Sequence, residues 1–247
     1  MRGLAPFWID PRDSNVDFPD VSLALEEPDG LLAVGGDLSP ARIAAAYRQG
    51  IFPWYNDDQP ILWWAPNPRA VLFPAELKIS RSLQKTLRKT LHNKKFTVSF
   101  DQAFAEVIEA CSGPRKPHND PGTWITDDMK RAYQQLHAQG LAHSVECWRD
   151  GKLIGGLYGV AIGQVFFGES MFSRETDASK VAFVTLVQQL SRWGFALIDC
   201  QVQSQHLESL GARTIRREDF MALLDRYCEQ PGRPGLWRID TPSSDAP

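Results

Sequence analysis

The chain is poor in cysteine, and the few it has are far apart. Cys111, Cys147, Cys200 and Cys228 are the only ones in 247 residues, with no C-x-x-C pair among them. That spacing argues against a disulfide framework or a zinc site and for free thiols in a reducing compartment. No stretch approaches the roughly 20 consecutive apolar residues of a membrane-spanning helix. The opening "MRGLAPFWID" lacks the apolar core of a secretory signal, so the expected location is the cytoplasm. A net charge of −3 gives no global attraction for nucleic acid or anionic lipid, so a nucleic-acid partner must be met by a local patch. Internal repeats are absent, and the polar end "TPSSDAP" is the only low-complexity tract.

What is present has two textures. Residues 1–70 are dense in Pro, Gly and Trp and are expected to form a small N-terminal domain with fixed aromatic loops. Within them "GGDLSPARIAAAYRQG" predicts one helix, with Ser39 as N-cap, Pro40 at the first position and Gly50 closing it. Ile43, Ala46 and Tyr47 form its apolar stripe. In "IFPWYNDDQPILWWAPNPRAVLF" the prolines are expected to interrupt any regular element. Residues 71–247 are expected to form a larger mixed α/β domain. "ELKISRSLQKTLRKTLHNKK" predicts a helix over 76–95 carrying Lys78, Arg81, Lys85, Arg88, Lys89, Lys94 and Lys95 against Glu76 alone. "FTVSF" reads as a strand. A helix with Phe104, Val107, Ile108 and Cys111 on one face follows, then the loop "SGPRKPHNDPG". Thr126 caps the next helix, with Met129, Ala132, Tyr133 and Leu136 buried. "AHSVECWR" and "LIGGLYGVAI" form a hairpin about Asp150-Gly151 and continue into "VFFGESM". A buried helix over about 177–192, the strand "FALIDCQV" and a helix near 218–228 complete the order. That order resembles the layout of the acetyltransferase-like (GNAT) fold. The segment before its central helix, "SRETDASKVA", has no glycine, whereas a coenzyme A enzyme of that fold grips pyrophosphate with a bare glycine turn.

Four groups of residues invite chemistry. The basic helix is either a solvated face or a track for phosphates, and its seven cations on an acidic chain favour the track. Trp54, Trp63, Trp64 and Trp124 lie in or beside loops, as core or as plates for an unpaired base, a stack worth about 1–3 kcal/mol. Asp199 sits inside an apolar strand, where an unpartnered carboxylate is costly, with Gln201 on the same face two residues on. Glu169 ends another strand, between a glycine and Ser170-Met171.

The motifs "EPDGLLAVGGDLSPARIAAAYRQGIFPWY", "ILWWAPNPRAVL", "GTWIT", "GGLYGVAIG", "FFGESMFSR", "ASKVAF" and "LIDCQVQSQHLESLGA" closely resemble the bacterial leucyl/phenylalanyl-tRNA–protein transferases, in order, from about residue 20 to about 228. The resemblance implies a small N-terminal domain and a GNAT-like C-terminal domain. It implies transfer of Leu or Phe from aminoacyl-tRNA to an N-terminal Arg or Lys, which marks the product for N-end rule degradation. It implies neither cofactor nor metal. Carried over position by position, the catalytic pair falls on Asp199 and Gln201, and the acid near the reacting amine on Glu169. The donor side-chain pocket falls on Leu157, Phe166, Met171, Phe183, Leu186, Leu190 and Ile198. The bracket for the terminal adenosine falls on Trp54 and Trp124, and the basic patch on Arg81 and Lys85, which Arg88 continues at helical spacing. The chain departs from the family pattern at Gln203 and Ser204, and its leucines at 157, 186 and 190 leave the order of preference among Leu, Phe and Met open. The implied chemistry is aminolysis of an ester, downhill and independent of ATP. Asp199 would take the proton of the attacking amine or orient that amine through Gln201, or Gln201 would donate to the oxyanion. Two rivals remain: an acetyl-CoA-type N-acyltransferase on the same fold, and a tRNA-binding module without catalysis.

Overall fold

The computed structural model describes residues 5–93, 96–113 and 124–240. The described residues form two sheets. The first is small, in the order β1 (Phe7–Ile9), β2 (Leu31–Gly35), β4 (Leu62–Trp64), β3 (Phe52–Pro53). Helix α1 (Pro40–Arg48) follows β2, and Ser39 Oγ accepts the amide of Arg42 at 3.4 Å, as the capping pattern predicts. The proline-rich stretch is more regular than expected, since it holds β3, β4 and β5 (Arg69–Leu72). The prolines do not prevent this. Pro53 lies in an edge strand, where a missing N–H costs little, and Pro60, Pro66 and Pro68 fall between strands.

The second sheet has seven strands, and β5 is one of them. It also holds β6 (Thr97–Phe100), β7 (Ala142–Arg149), β8 (Lys152–Ile162), β9 (Val165–Ser173), β10 (Leu197–Gln201) and β11 (Arg213–Ile215). Their order is β11-β5-β10-β9-β8-β7-β6. Asp150 and Gly151 turn the β7–β8 hairpin with φ of 50° and 72°, the doubly left-handed turn that matches strand twist. Neighbours are antiparallel except β9 and β10, a parallel pair joined through α5 (Ala178–Arg192). The mixed α/β expectation therefore holds, with β5 and β11 as strands that the sequence pattern did not reveal.

Alternation along β9 divides the core. Val165 and Phe167 join one apolar cluster with α1, α3 (Phe104–Ser112) and α4 (Asp127–Ala138); Phe166 joins a second cluster with α5. Thr126 caps α4 by accepting the amide of Met129 at 3.2 Å. The basic helix, α2 (Arg81–Asn93), starts later than its charge pattern suggested. Ser80 Oγ accepts the amide of Leu83 at 3.2 Å, and Glu76 belongs to a separate short turn and pairs with Arg213 at 3.1 Å. Lys94, Lys95 and most of the "SGPRKPHNDPG" loop lie outside the described residues. The short α6 (Gln205–Ser209) and α7 (Arg217–Tyr227) follow β10 and β11.

Candidate active site

The parallel pair β9–β10 is matched only over Leu197–Asp199 against Val165–Phe167. Just beyond, both strands slip. On β9, Tyr158 faces Ser170 and Gly159 faces Gly168, which leaves Glu169 as the extra residue of a bulge. On β10, Asp199 faces Val71 and Gln201 faces Ala70, which leaves Cys200 unpaired. Gln201 has φ of 57°, the left-handed region that a side chain with a Cβ seldom occupies. Bulges bend a strand and re-aim a side chain. Here two bulges at one level turn Glu169 and Gln201 toward each other, and Gln201 Nε2 donates to Glu169 Oε1 at 2.9 Å. This explains why a strand that packs Phe166 and Phe167 goes on to an acid.

Two tyrosines from other elements close around Glu169. Tyr47 of α1 donates to Oε1 at 2.6 Å and Tyr133 of α4 donates to Oε2 at 2.9 Å, while the two hydroxyls lie 2.5 Å apart. The sequence marked both as apolar stripe residues, and their rings do pack in the core. Their oxygens do more. Three contacts link the carboxyl and the two hydroxyls, and the hydroxyls bring only two protons. The ring is complete only when the carboxyl carries the third. Burial, the largest effect, pushes the Glu169 carboxyl up to about 7, with the charge of Asp199 adding to it and the hydrogen bonds opposing it. The same burial, together with the nearby acid, raises both phenols well above their ordinary range, so they stay protonated.

Asp199 is differently placed. Its carboxylate is fully buried and grips Arg69 at two points, Nε to Oδ1 at 2.8 Å and Nη2 to Oδ2 at 2.7 Å. Oδ1 also accepts the amide of Gln201 at 2.9 Å. The Arg69 guanidinium is itself buried between the rings of Phe52 and Phe220, 4.8 Å from each centroid. Asp199, its charge already held by Arg69, therefore does not offer an open charge to an incoming cation or a ready seat for the amine's proton, as the expectation for it supposed. Its position fixes the bulge on which Gln201 stands.

These groups meet at a pocket of about 440 Å³. Leu157, Phe166, Met171, Phe183 and Ile198 give it apolar lining, and Glu169, Asp199, Gln201, Trp54 and Trp124 line it too. Trp54 is 48% exposed, as a plate for stacking must be. Two expected wall residues need correction. Leu186 and Leu190 are buried in the same cluster as Phe183 but do not line the pocket. They lie about one and two turns farther along α5, at about 5.4 Å per turn, where the core covers them. Trp63 is also core, its Nε1 donating to Gly35 O at 2.8 Å, and Trp64 donates to Trp54 O at 2.7 Å rather than joining the pocket wall. Arg81, Lys85 and Arg88 are exposed on α2 and make no ion pair among the described residues. Arg69, Tyr47, Tyr133 and Phe52 are the site residues that the sequence did not single out. A lone Arg opening the apolar run "RAVLF" was the one available signal.

Among the described residues no helix is long and apolar enough to cross a membrane, and no group of His, Cys, Asp and Glu is arranged to hold a metal. Residues 71–225 match the family described as leucyl/phenylalanyl-tRNA protein transferase, and 36–67 match the N-terminal domain of the same family. The leucyl/phenylalanyl-tRNA–protein transferase of Azotobacter vinelandii is 60% identical over 220 residues, 89% of this chain and 94% of its own. That of Stutzerimonas stutzeri is 56% identical over 231 residues, 94% of this chain and 98% of its own. A solved GCN5-related N-acetyltransferase-like protein from Streptococcus suis has 14% identity and a TM-score of 0.36, covers 61% of this chain and 58% of its own, and is too remote to bear on the chemistry. The protein is an enzyme of the aminoacyltransferase class. The chain belongs to the leucyl/phenylalanyl-tRNA–protein transferase family.

Proposed function

We propose that the enzyme moves leucyl or phenylalanyl groups, with methionyl as a poorer donor, from aminoacyl-tRNA to the N-terminal Arg or Lys of acceptor proteins, which marks them for N-end rule degradation in the cytoplasm. The observation that carries this reading is the junction of an apolar slot with one carboxyl, at Glu169, that has no cation partner among the described residues. Leu157, Phe166, Met171, Phe183 and Ile198 receive the donor's side chain. Trp54 and Trp124 hold the terminal adenine, and Arg81, Lys85 and Arg88 follow the phosphates. Residues 1–70 form a small domain that lends Tyr47, Phe52, Trp54 and Arg69 to a site otherwise carried by 71–247.

In this reading the acceptor amine attacks the ester carbonyl carbon. The bond from that carbon to the ribose oxygen then breaks, and the proton that the ammonium formed on attack must lose passes by way of Glu169 to the departing ribose oxygen, which leaves as a hydroxyl. Glu169, with its affinity for a proton near neutrality and its open side toward the pocket, holds the cationic acceptor and takes that proton. Gln201 spends one amide hydrogen on Glu169, and its carbonyl, without a partner among the described residues, accepts from the amine. Asp199 is a positioning residue that acts through Gln201 and Arg69. Alignment of the two substrates supplies much of the remaining acceleration.

Incubation of labelled Leu-tRNA or Phe-tRNA with a protein beginning in Arg or Lys should move label to that terminus without ATP. Equal labelling of proteins that begin with Ser or Asp would sink the acceptor assignment. Affinity for aminoacyl-tRNA should fall as salt rises. With Arg81, Lys85 and Arg88 all changed to Gln, the slope of log K on log salt should become shallower by about 2, at roughly 0.7 per single-strand phosphate contact. An unchanged slope in filter binding would remove α2 from the tRNA path.

A further inference from the structure

The chain does not stop at the end of α7. Residues 228–240 run as a strap along one end of the second sheet. Gln164 N–H donates to Tyr227 O at 2.9 Å where the strap departs. Farther on, the Asp101 carboxylate accepts the amide of Trp237 at 2.6 Å. Asp240 then accepts from Gln189 Nε2 at 2.7 Å and from Trp193 Nε1 at 2.6 Å. Both donors lie at or just past the C-terminal end of α5. The family match ends at 225, so the strap lies beyond it.

The strap's central residue is buried against the pocket's back wall. Trp237 is 1% exposed and stacks on His143 at 3.7 Å and 5°. Its ring lies 5.9 Å from that of Phe166, and Trp193 and Phe195 close its other sides at 5.0 and 5.8 Å. Phe166 lines the pocket. Its ring edge also fills the space above Gly159, where an added Cβ would sit 2.5 Å from Cζ. Phe166 is thus held between a strand backbone that allows no side chain and an indole that comes from the strap.

We propose that Trp237 is a positioning residue for donor selection: by fixing the ring of Phe166 it sets the depth of the slot and so the balance between branched and aromatic donors. This rests on reading the pocket as the donor slot. Interiors are close-packed, so a smaller residue at 237 gives Phe166 room to recede. One methylene in an apolar pocket discriminates by about 10–200-fold, so even a partial retreat is measurable.

The test compares kcat/KM for Phe-tRNA and Leu-tRNA on the same preparation, so that any loss of folded enzyme cancels in the ratio. Trp237→Leu should raise the Phe-to-Leu ratio by roughly 3–10-fold through KM, and Trp237→Phe, which keeps an aromatic plate, by less. Leu157→Ala, in the slot wall itself, serves as the reference. A ratio moved by Leu157→Ala but by neither Trp237 variant overturns the role of the strap and leaves the slot in place. A ratio moved by none of the three shows that the pocket does not hold the donor side chain, and both assignments fall. If Trp237→Leu does not purify folded, the ratio for Trp237→Phe decides.

Discussion

Asp199→Asn should cost the folded enzyme about 3–5 kcal/mol, measured by urea unfolding, because it leaves the Arg69 charge buried and uncompensated. Both partners are essentially without solvent contact, so screening by water does not soften the loss. Two aromatic faces cannot replace a bidentate carboxylate. Replacing both partners together, as Arg69→Met with Asp199→Leu, should cost less than either single change, since no lone charge remains. Transfer should fall by roughly 10²-fold in the folded fraction of Asp199→Asn, the size expected when a reacting group moves by about 1 Å. Binding of aminoacyl-tRNA should persist. Stability equal to the parent's would mean that the pair is not the closed unit described. An unchanged transfer rate would end the link from Asp199 to Gln201.

Glu169→Gln should lower kcat/KM for acceptors with a basic first residue by roughly 10²-fold or more, since a desolvated charge pair that loses one member costs about 2–5 kcal/mol. The shape is kept, and the Gln amide still satisfies the tyrosine hydroxyls, so folding should suffer little. The parent's pH profile gives a second reading. The carboxyl's affinity for a proton is raised in the folded state to about 7 from an ordinary 4.5. Its contribution to stability is therefore full below about 4.5 and lost as pH rises through about 7. Activity runs the other way, because only the ionised form attracts a cation and accepts a proton. The rate should rise through about 7, and that inflection should vanish in Glu169→Gln, leaving the titration of the acceptor amine near pH 7.7–8.0. An inflection that survives the substitution belongs to another group.

The sequence displayed the parts that depend on local chemistry. Ser39 and Thr126 cap the helices they were expected to cap, Asp150-Gly151 makes its hairpin, and the alternation in "VFFGESM" places Phe166 in one core and Phe167 in the other. What stayed hidden depends on pairing between distant strands. A bulge is a property of two strands, and neither "FFGES" nor "IDCQV" alone announces one. The same-face relation of Asp199 and Gln201, sound for a regular strand, misses that Cys200 is skipped and Gln201 is left-handed. Arg69 looked like an ordinary charge among prolines because its partner lies 130 residues on. Tyr47 and Tyr133 looked apolar because their rings are; where a hydroxyl ends up is decided only when α1 meets α4. Leu186 and Leu190 have the right residue type and the right helix face, but they sit too far along it.

The carboxyl at 169 is ringed by groups from three other segments: residue 47, residue 133 and residue 201. Together they bury it, and burial raises its proton affinity against the pull of their hydrogen bonds. The ionisation of this single acid is therefore an internal gauge of assembly, readable by isotope-edited spectroscopy. A molecule whose first sheet had come loose from the second would report the fact as an ordinary glutamate long before its helices melted.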